Sequence, residues 1–186
     1  MKALRMFLQA LVVLALAAGT TMAQDKARKQ AEIRNAAKTA LERFYKADPK
    51  LKDAVAKAPG YAVFTTYGLS FLIGGAGGSG LVHDNKSKKD TFMNMAQASA
   101  GVQLGASETQ VLIVFRNQKA MQTFIDKGWE FGAGGGASAG TGSKSVGSGG
   151  GENVIADASF YTLTKTGLEA GGAVAGTKFW KDKELN

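Results

Sequence analysis

The chain has 186 residues, among them no cysteine, two prolines and a single histidine. Without cysteine it has no disulfide framework, no thiol nucleophile, no iron–sulfur cluster and no zinc–thiolate site. One imidazole near a turn, here His83, is more often a surface residue than a catalytic one. Because the acidic residues are not clustered at ligand spacing, we expect no metal site and no cofactor.

The P-loop motif of nucleotide binding is missing as well, since no G-K-[S/T] signature occurs. Residues 75–80 match G-x-G-x-x-G, but the apolar pair Leu81-Val82 and a hairpin follow, where dinucleotide binding requires the N-terminus of a helix. The sequence therefore predicts a protein that is not an enzyme and has no catalytic residues.

Glycine, by contrast, is abundant, with 25 residues. Three glycine-rich stretches lie among strand-forming residues, at 71–82, 131–140 and 167–179. A glycine inside a strand packs nothing, so it is tolerated where a sheet bends or where another backbone approaches closely. The pattern favours a strongly curved sheet with a smooth surface. The glycine-serine tract at 140–152 predicts a mobile loop.

The first residues have the pattern of an export signal. Lys2 and Arg5 precede an apolar stretch that is too short to span a bilayer, and Ala23 ends a run of small residues suited to cleavage. We therefore predict a signal peptide over 1–23 and one domain over 24–186. Because residue 24 is glutamine and not cysteine, no lipoprotein anchor is expected. The predicted location is exported, either periplasmic or peripheral to the cell envelope.

Positive charge is concentrated near the N-terminus. The net charge is +8, and residues 24–60 carry ten basic and five acidic side chains, against eleven and ten in residues 61–186. Such asymmetry indicates an acidic partner. For an exported protein this partner is expected to be an anionic phospholipid membrane, not nucleic acid.

The periodicity predicts an α+β fold. Residues 24–60 are expected to form a basic pair of helices, the first with an apolar face that includes Ile33, Ala37 and Phe44. Residues 61–186 are expected to form a glycine-rich β region with one helix at about 119–127, a final strand at 168–180 and a trailing end at 181–186. The predicted architecture is a helical pair packed on a curved antiparallel sheet; whether the sheet closes into a barrel is open.

The basic helix and the tip of a predicted hairpin supply the candidate lipid head-group ligands. Either the apolar face of the helix enters the membrane while its cations meet phosphates, or that face docks on the sheet and the cations form a solvated surface. The candidates are Lys26, Arg28, Lys29, Arg34, Lys38 and Arg43 in the helix and Lys86, Lys88 and Lys89 at the hairpin tip.

Two other functions stay open at this level. One is a structural or interaction protein of the envelope, which would bind a protein or glycan partner through the glycine-rich sheet near 74–80 and 132–140. The other is a carrier that would hold a lipid inside a closed barrel. Both depend on the same glycine-rich strands as the first hypothesis.

Several separated motifs resemble the SYLF domain family, in particular its exported bacterial branch. They are Thr91–Met95, Ser99–Gly105, Val111–Phe115, Gly128–Gly132, Tyr161–Thr164 and Gly176–Asp182. The resemblance implies lipid binding, because eukaryotic members are similar proteins that bind phosphoinositide-containing membranes, partly through an N-terminal basic segment, and some bind actin filaments. An exported protein meets neither actin nor, normally, phosphoinositides, so the resemblance implies anionic phospholipid here and makes actin binding unexpected.

Overall fold

A computed structural model of the chain describes residues 2–71, 75–98, 109–131, 137–138, 157–164, 167–170 and 177–186. The helices are α1 (Lys2–Ala47), α2 (Lys50–Lys57) and α3 (Gln118–Lys127). The strands are β1 (Gly60–Phe71), β2 (Gly75–Asp84), β3 (Asp90–Ala98), β4 (Thr109–Phe115), β5 (Trp129–Phe131), β6 (Ala137–Ser138), β7 (Ala158–Thr164), β8 (Gly167–Ala170) and β9 (Thr177–Lys181).

The described strands form one antiparallel sheet in the order β6-β5-β9-β3-β2-β1-β4-β7-β8. The sheet curls in the manner of a half-barrel. Among the described residues, no ladder of hydrogen bonds joins the two end strands, β6 and β8. The predicted α+β class, with helices on a curved antiparallel sheet, is confirmed.

Side-chain alternation along the strands divides the core into two layers. On one face, Phe64, Phe115 and Phe179 pack with α3. On the other face, the sheet residues Val63, Leu81, Phe92, Leu112 and Val114 pack with α1 and α2. The first helical pair and the later helix therefore lie on opposite faces of the sheet.

Helix α1 docks through the apolar face that its periodicity predicts. Ala37, Ala40 and Phe44 are buried, and Phe44 has no exposed area. After Ala47 the chain turns into α2, where the Asp48 carboxylate accepts a hydrogen bond of 3.0 Å from the Lys50 N–H. This contact satisfies one of the free N–H groups at the start of α2.

The end of the chain differs from the prediction. Residues 168–180, expected to be one strand, contribute to two: β8 pairs with β7 near one margin of the sheet, whereas β9 pairs with β3 and β5 near the other. The helix expected at about 119–127 corresponds to α3. The glycine-serine tract 140–152 lies outside the described residues.

The last residues, expected to trail off, are instead fixed to the sheet. Strand β9 ends opposite Met93; just beyond it the Asp182 N–H donates to the Phe92 carbonyl at 3.0 Å, but the Phe92 N–H has no backbone partner on that side. The Asn186 side chain replaces one: its Oδ1 accepts from the Phe92 N–H at 2.9 Å, and its Nδ2 donates to the Phe92 carbonyl at 2.7 Å. Leu185 is buried in the layer beneath α1. The expectation of a trailing tail was wrong because Phe92, which Asn186 binds, lies far away in the sequence.

Candidate anion-binding surface

Antiparallel pairing brings three connections to one end of the sheet. Gly60, at the start of β1, lies opposite Asp84, and Asp90, at the start of β3, lies opposite His83. The far end of β4 reaches the same level, since Val114 lies opposite Tyr61. The α2–β1, β2–β3 and β4–α3 connections are therefore neighbours. We call this edge, formed by residues 57–60, 84–90 and 115–119, the hairpin end.

Hydrogen bonds fix these connections to one another. The Asn85 side chain donates to the carbonyls of Val55 at 2.8 Å and Ala58 at 2.9 Å, so it binds the C-terminal end of α2. The Asp84 carboxylate accepts from the backbone of Lys86 at 2.8 Å and from the Gln118 side chain at 3.1 Å. The hairpin tip is thus attached to both α2 and α3.

The same hydrogen bonds keep Asp84 ionised. Desolvation by burial raises the pKa of its carboxyl, but the donors of Ser87, Lys86 and Gln118 outweigh this effect and lower the pKa below its ordinary value. The charge of Asp84 is directed at the turn, while the side chains of Lys86, Lys88 and Lys89 are exposed. All three candidates at the tip therefore face solvent.

An ion bridge connects α1 to the base of the hairpin. Asp90 Oδ2 lies 2.7 Å from Arg34 Nε, and Asp90 Oδ1 lies 2.7 Å from His83 Nδ1. The Arg34 guanidinium also lies 4.9 Å from the ring centroid of Phe92. Burial raises the pKa of Asp90, but hydrogen bonds from His83 and Arg34 outweigh it and hold the pKa below its ordinary value. Arg34 is therefore a structural tie as well as a candidate ligand.

Tyr61 completes this cluster on the neighbouring strand. Its ring centroid lies 5.3 Å from that of His83. Burial, together with the nearby Tyr45 and Asp90, raises the pKa of Tyr61 to about 12. The phenol keeps its proton at every pH at which the protein is expected to work, so it is no general base.

Replacing Asp90 with asparagine should lower the free energy of unfolding by about 1–2 kcal/mol at neutral pH. Because the folded pKa is depressed, the contribution of the carboxylate is present above the unfolded value of about 4 and is lost as the pH falls through the folded pKa. Urea unfolding between pH 7 and pH 2 should therefore show the variant and the parent converging below about pH 4. The exposed Asp157→Asn is the control, and a constant difference over the whole range would contradict the role of the bridge.

The candidate cations of α1 do not share one face. At about 100° per residue they are distributed around the helix. Lys26 Nζ donates to the Asn186 carbonyl at 3.0 Å, and Arg28 pairs with Asp25 at 3.2 Å, where both side chains are well exposed. Lys29, Lys38 and Arg43 are exposed. Since the apolar face is buried on the sheet, the docked arrangement is the one observed.

Other kinds of site were sought in the described part of the chain. There, no three side chains of the His, Asp and Glu types converge to hold a metal ion. No helix in the same residues combines the length and the apolar character that a bilayer crossing needs. At Gly77 the surface is open, with no atom within 4 Å of an added Cβ. The protein or glycan partner proposed for 74–80 and 132–140 stays a prediction, because 132–136 and 139–140 are not described.

Residues 96–186 match the family model described as Ysc84, Las17-binding protein actin regulator. This part of the chain is similar to the SYLF family. The resemblance inferred from the motifs is thereby confirmed. SYLF relatives bind lipids and actin-related partners, and SYLF is a family of binding domains rather than a known class of enzymes.

The chain is also similar to the beta cell expansion factor A of Aeromonas veronii. The two are 30% identical over 166 residues, which cover 88% of this chain and 62% of that protein. The chain therefore spans less than two thirds of the length of this relative.

The SYLF match and the candidate cations fall on different parts of the chain. The match begins within β3, so all nine candidate residues precede it. Three further exposed cations, Lys57, Arg116 and Lys119, were not among the candidates, although they lie at the hairpin end. The sequence feature that could have indicated these three residues is their position, because each lies within four residues of a predicted strand.

Proposed function

We propose that the protein binds anionic phospholipid at the extracytoplasmic surface of a membrane, without catalysis. The observation that carries the proposal is the display of Arg28, Lys29 and Lys38 as exposed cations on a helix whose apolar face is fixed to the sheet. Lipid binding among SYLF relatives supports the ligand class. The basic N-terminal quarter and the predicted signal peptide support the location.

Binding of this kind is electrostatic and does not require insertion of α1. Ala37, Ala40 and Phe44 are occupied by contacts with the sheet, so within residues 23–47, whose side chains the structure describes, the helix has no free apolar face to place in the membrane. Each basic residue near an anionic surface contributes about 1 kcal/mol. Because the charges are exposed, salt screens them over a Debye length of about 8–10 Å. The affinity should therefore fall steeply as ionic strength rises.

Trp180 supplies an apolar group for the same surface. It is the large hydrophobic side chain that the described residues leave exposed, at 39%. The bonds from Lys26 to Asn186 and from Gln30 to the Leu185 carbonyl, at 2.7 Å, place the C-terminal residues beside residues 26–30 of α1. A tryptophan at a membrane–water interface keeps one edge apolar and one edge wet, so it suits this position.

The experiment measures how strongly the protein, in the form in which cells accumulate it, binds to phosphatidylcholine vesicles. The proportion of phosphatidylglycerol or cardiolipin in the vesicles is increased stepwise. We expect binding that grows with anionic lipid, falls with salt, and drops at least 100-fold in the variant Arg28→Glu/Lys29→Glu/Lys38→Glu. The charge-preserving variant Arg28→Lys/Lys29→Arg/Lys38→Arg is the matched control and should bind like the parent.

Two results would contradict the proposal. Binding that is indifferent to both anionic lipid and salt would refute the ligand class. The location is tested by intact mass and cell fractionation, which should find a chain that begins at Gln24 in the exported fraction. A chain that begins at Met1 and stays in the cytoplasm would refute the extracytoplasmic site.

A further inference from the structure

The hairpin end collects exposed cations from all three of its connections. Their side chains make no hydrogen bond to a carboxylate within the described residues. They are Lys57 from α2–β1, Lys86, Lys88 and Lys89 from β2–β3, and Arg116 and Lys119 from β4–α3. These residues are separated by up to 62 positions in the sequence, so it is the sheet that brings them together.

The carboxylates at this end are largely turned toward other groups. Asp84 accepts hydrogen bonds from the turn and from Gln118, and Asp90 is shared between His83 and Arg34. Asp157 is exposed beside Arg116, whose N–H donates to its carbonyl at 2.7 Å. Over residues 57–60, 84–90 and 115–119 and the adjoining Asp157, six cations therefore face three carboxylates, two of which are already engaged, and this part of the surface is positive.

The shape of the surface limits what can occupy it. Strands β3, β2, β1 and β4 are consecutive in the sheet, and strands are about 4.8 Å apart, so their ends extend over about 14 Å. That width exceeds a single phosphate group. Lysine ammonium groups on flexible stems act as separate point charges. The matching partner presents many anionic groups spread over a broad face, as the head groups of an anionic bilayer do.

The hairpin end is also continuous with the cations of α1. The Arg34–Asp90 pair fixes the middle of α1 at the start of β3, next to Lys89. Lys38 lies one helical turn beyond Arg34 and is exposed. A membrane that meets Lys38 therefore lies close to the hairpin tip.

We propose that the hairpin end is a second docking surface for anionic lipid head groups, which adjoins the cations of α1 and is formed by other residues. This inference rests on the proposed function and adds an orientation to it. The protein binds with the hairpin end of its strands toward the membrane. Because Asn85, Asp84 and Gln118 hold the three connections in place, the surface is formed before it meets the lipid.

The test is the triple variant Lys86→Glu/Lys89→Glu/Lys119→Glu, compared with the parent on phosphatidylcholine vesicles that contain about 30% phosphatidylglycerol. Lys88 is left unchanged because its φ of 57° is in the left-handed region. Each removed charge should lower the partition coefficient about five-fold, so we expect a loss of about 100-fold or more. Thermal unfolding should be unchanged, since the three side chains are exposed.

A matched control carries the same change of charge elsewhere. Lys46→Glu/Lys50→Glu/Lys52→Glu alters exposed lysines around the α1–α2 connection, and Lys50 is about 10 Å along α2 from Lys57. Loss of binding in the hairpin variant and retention in this control support the second surface. Equal losses in both overturn it, because net charge would then explain the effect.

The α1 variant separates this inference from the proposed function. If Arg28→Glu/Lys29→Glu/Lys38→Glu abolishes binding while the hairpin variant binds like the parent, the second surface is refuted and the proposed function stands. If the parent itself ignores anionic vesicles, the proposed function fails and the inference fails with it. Retention of binding to a soluble polyanion such as heparin, with none to vesicles, would likewise reject a bilayer as the occupant.

Discussion

Replacing Phe124 with alanine is expected to lower the free energy of unfolding by about 3–5 kcal/mol. Phe124 has no exposed area and lies at the centre of an aromatic cluster. Its ring centroid is 4.7 Å from that of Trp129 and 5.5 Å from those of Phe115 and Phe179. Truncation removes the ring from all of these contacts and leaves a cavity that stiff aromatic neighbours fill poorly.

The consequence reaches the hairpin end because Phe124 anchors α3. This helix has ten residues, and its buried side chains are Ala120, Met121, Phe124 and Ile125. So short a helix is not stable by itself and depends on packing. Loss of the ring should loosen the element that carries Lys119 and Gln118.

Urea unfolding of the parent and the variant measures the effect. The matched control is Phe124→Leu, which keeps an apolar side chain and should cost about half as much or less. A loss below 1 kcal/mol for alanine would show that α3 contributes little to the core, contrary to the burial of its face.

Local patterns in the sequence predict the elements that local contacts build. The apolar spacing of Ala37, Ala40 and Phe44 predicts the face of α1 that docks, and these residues are buried. The hairpin follows from two strand-forming runs around a polar tip, and it forms where expected, between β2 and β3. In both cases the signal and the structure span only a few residues.

Long-range partners could not be predicted in the same way. Arg34 is bound by Asp90, 56 positions away, and Phe92 is completed by Asn186, 94 positions away. Neither pair has a local pattern, because a cross-strand neighbour depends on register and strand order. The expectation of a single strand at 168–180 was wrong for a related reason. A glycine-rich run has too few side chains to show where one strand ends and the next begins.

The hairpin end contains residues that local patterns predicted and residues that they did not. The exposed lysines of the hairpin tip were predicted from the tip itself. Lys57, Arg116 and Lys119 join them only because β1, β2 and β4 are neighbours in the sheet, which the sequence did not reveal. Charge counts therefore predict an acidic partner, while the pairing of strands decides which cations lie together.

Gly80→Ala is expected to destabilise the protein by about 3 kcal/mol. A Cβ at this position would overlap the carbonyl oxygen of Val63 and lie 2.5 Å from the Phe64 ring. The obstacle is backbone on the neighbouring strand, so relief requires β1 and β2 to separate. Phe64 has no exposed area and cannot move aside without disturbing the aromatic core.

Gly77→Ala is the matched control on the same strand. No atom lies within 4 Å of the added Cβ there, so the methyl group should be accommodated. Replacing a glycine in a compatible conformation restricts the unfolded chain, and the expected change is a gain of up to about 1 kcal/mol. Thermal or urea unfolding of both variants distinguishes a glycine needed for close approach from one that merely leaves the surface smooth.

Equal effects of the two substitutions would contradict this distinction. If both destabilise strongly, β2 requires glycine for its conformation along its whole length, and not for contact with Phe64. If neither does, β1 and β2 can separate at little cost, and the two strands do not hold the hairpin in a fixed position. The difference between Gly80 and Gly77 therefore also measures how rigidly the sheet presents Lys86 and Lys89, two and five residues beyond the end of β2, to an anionic surface.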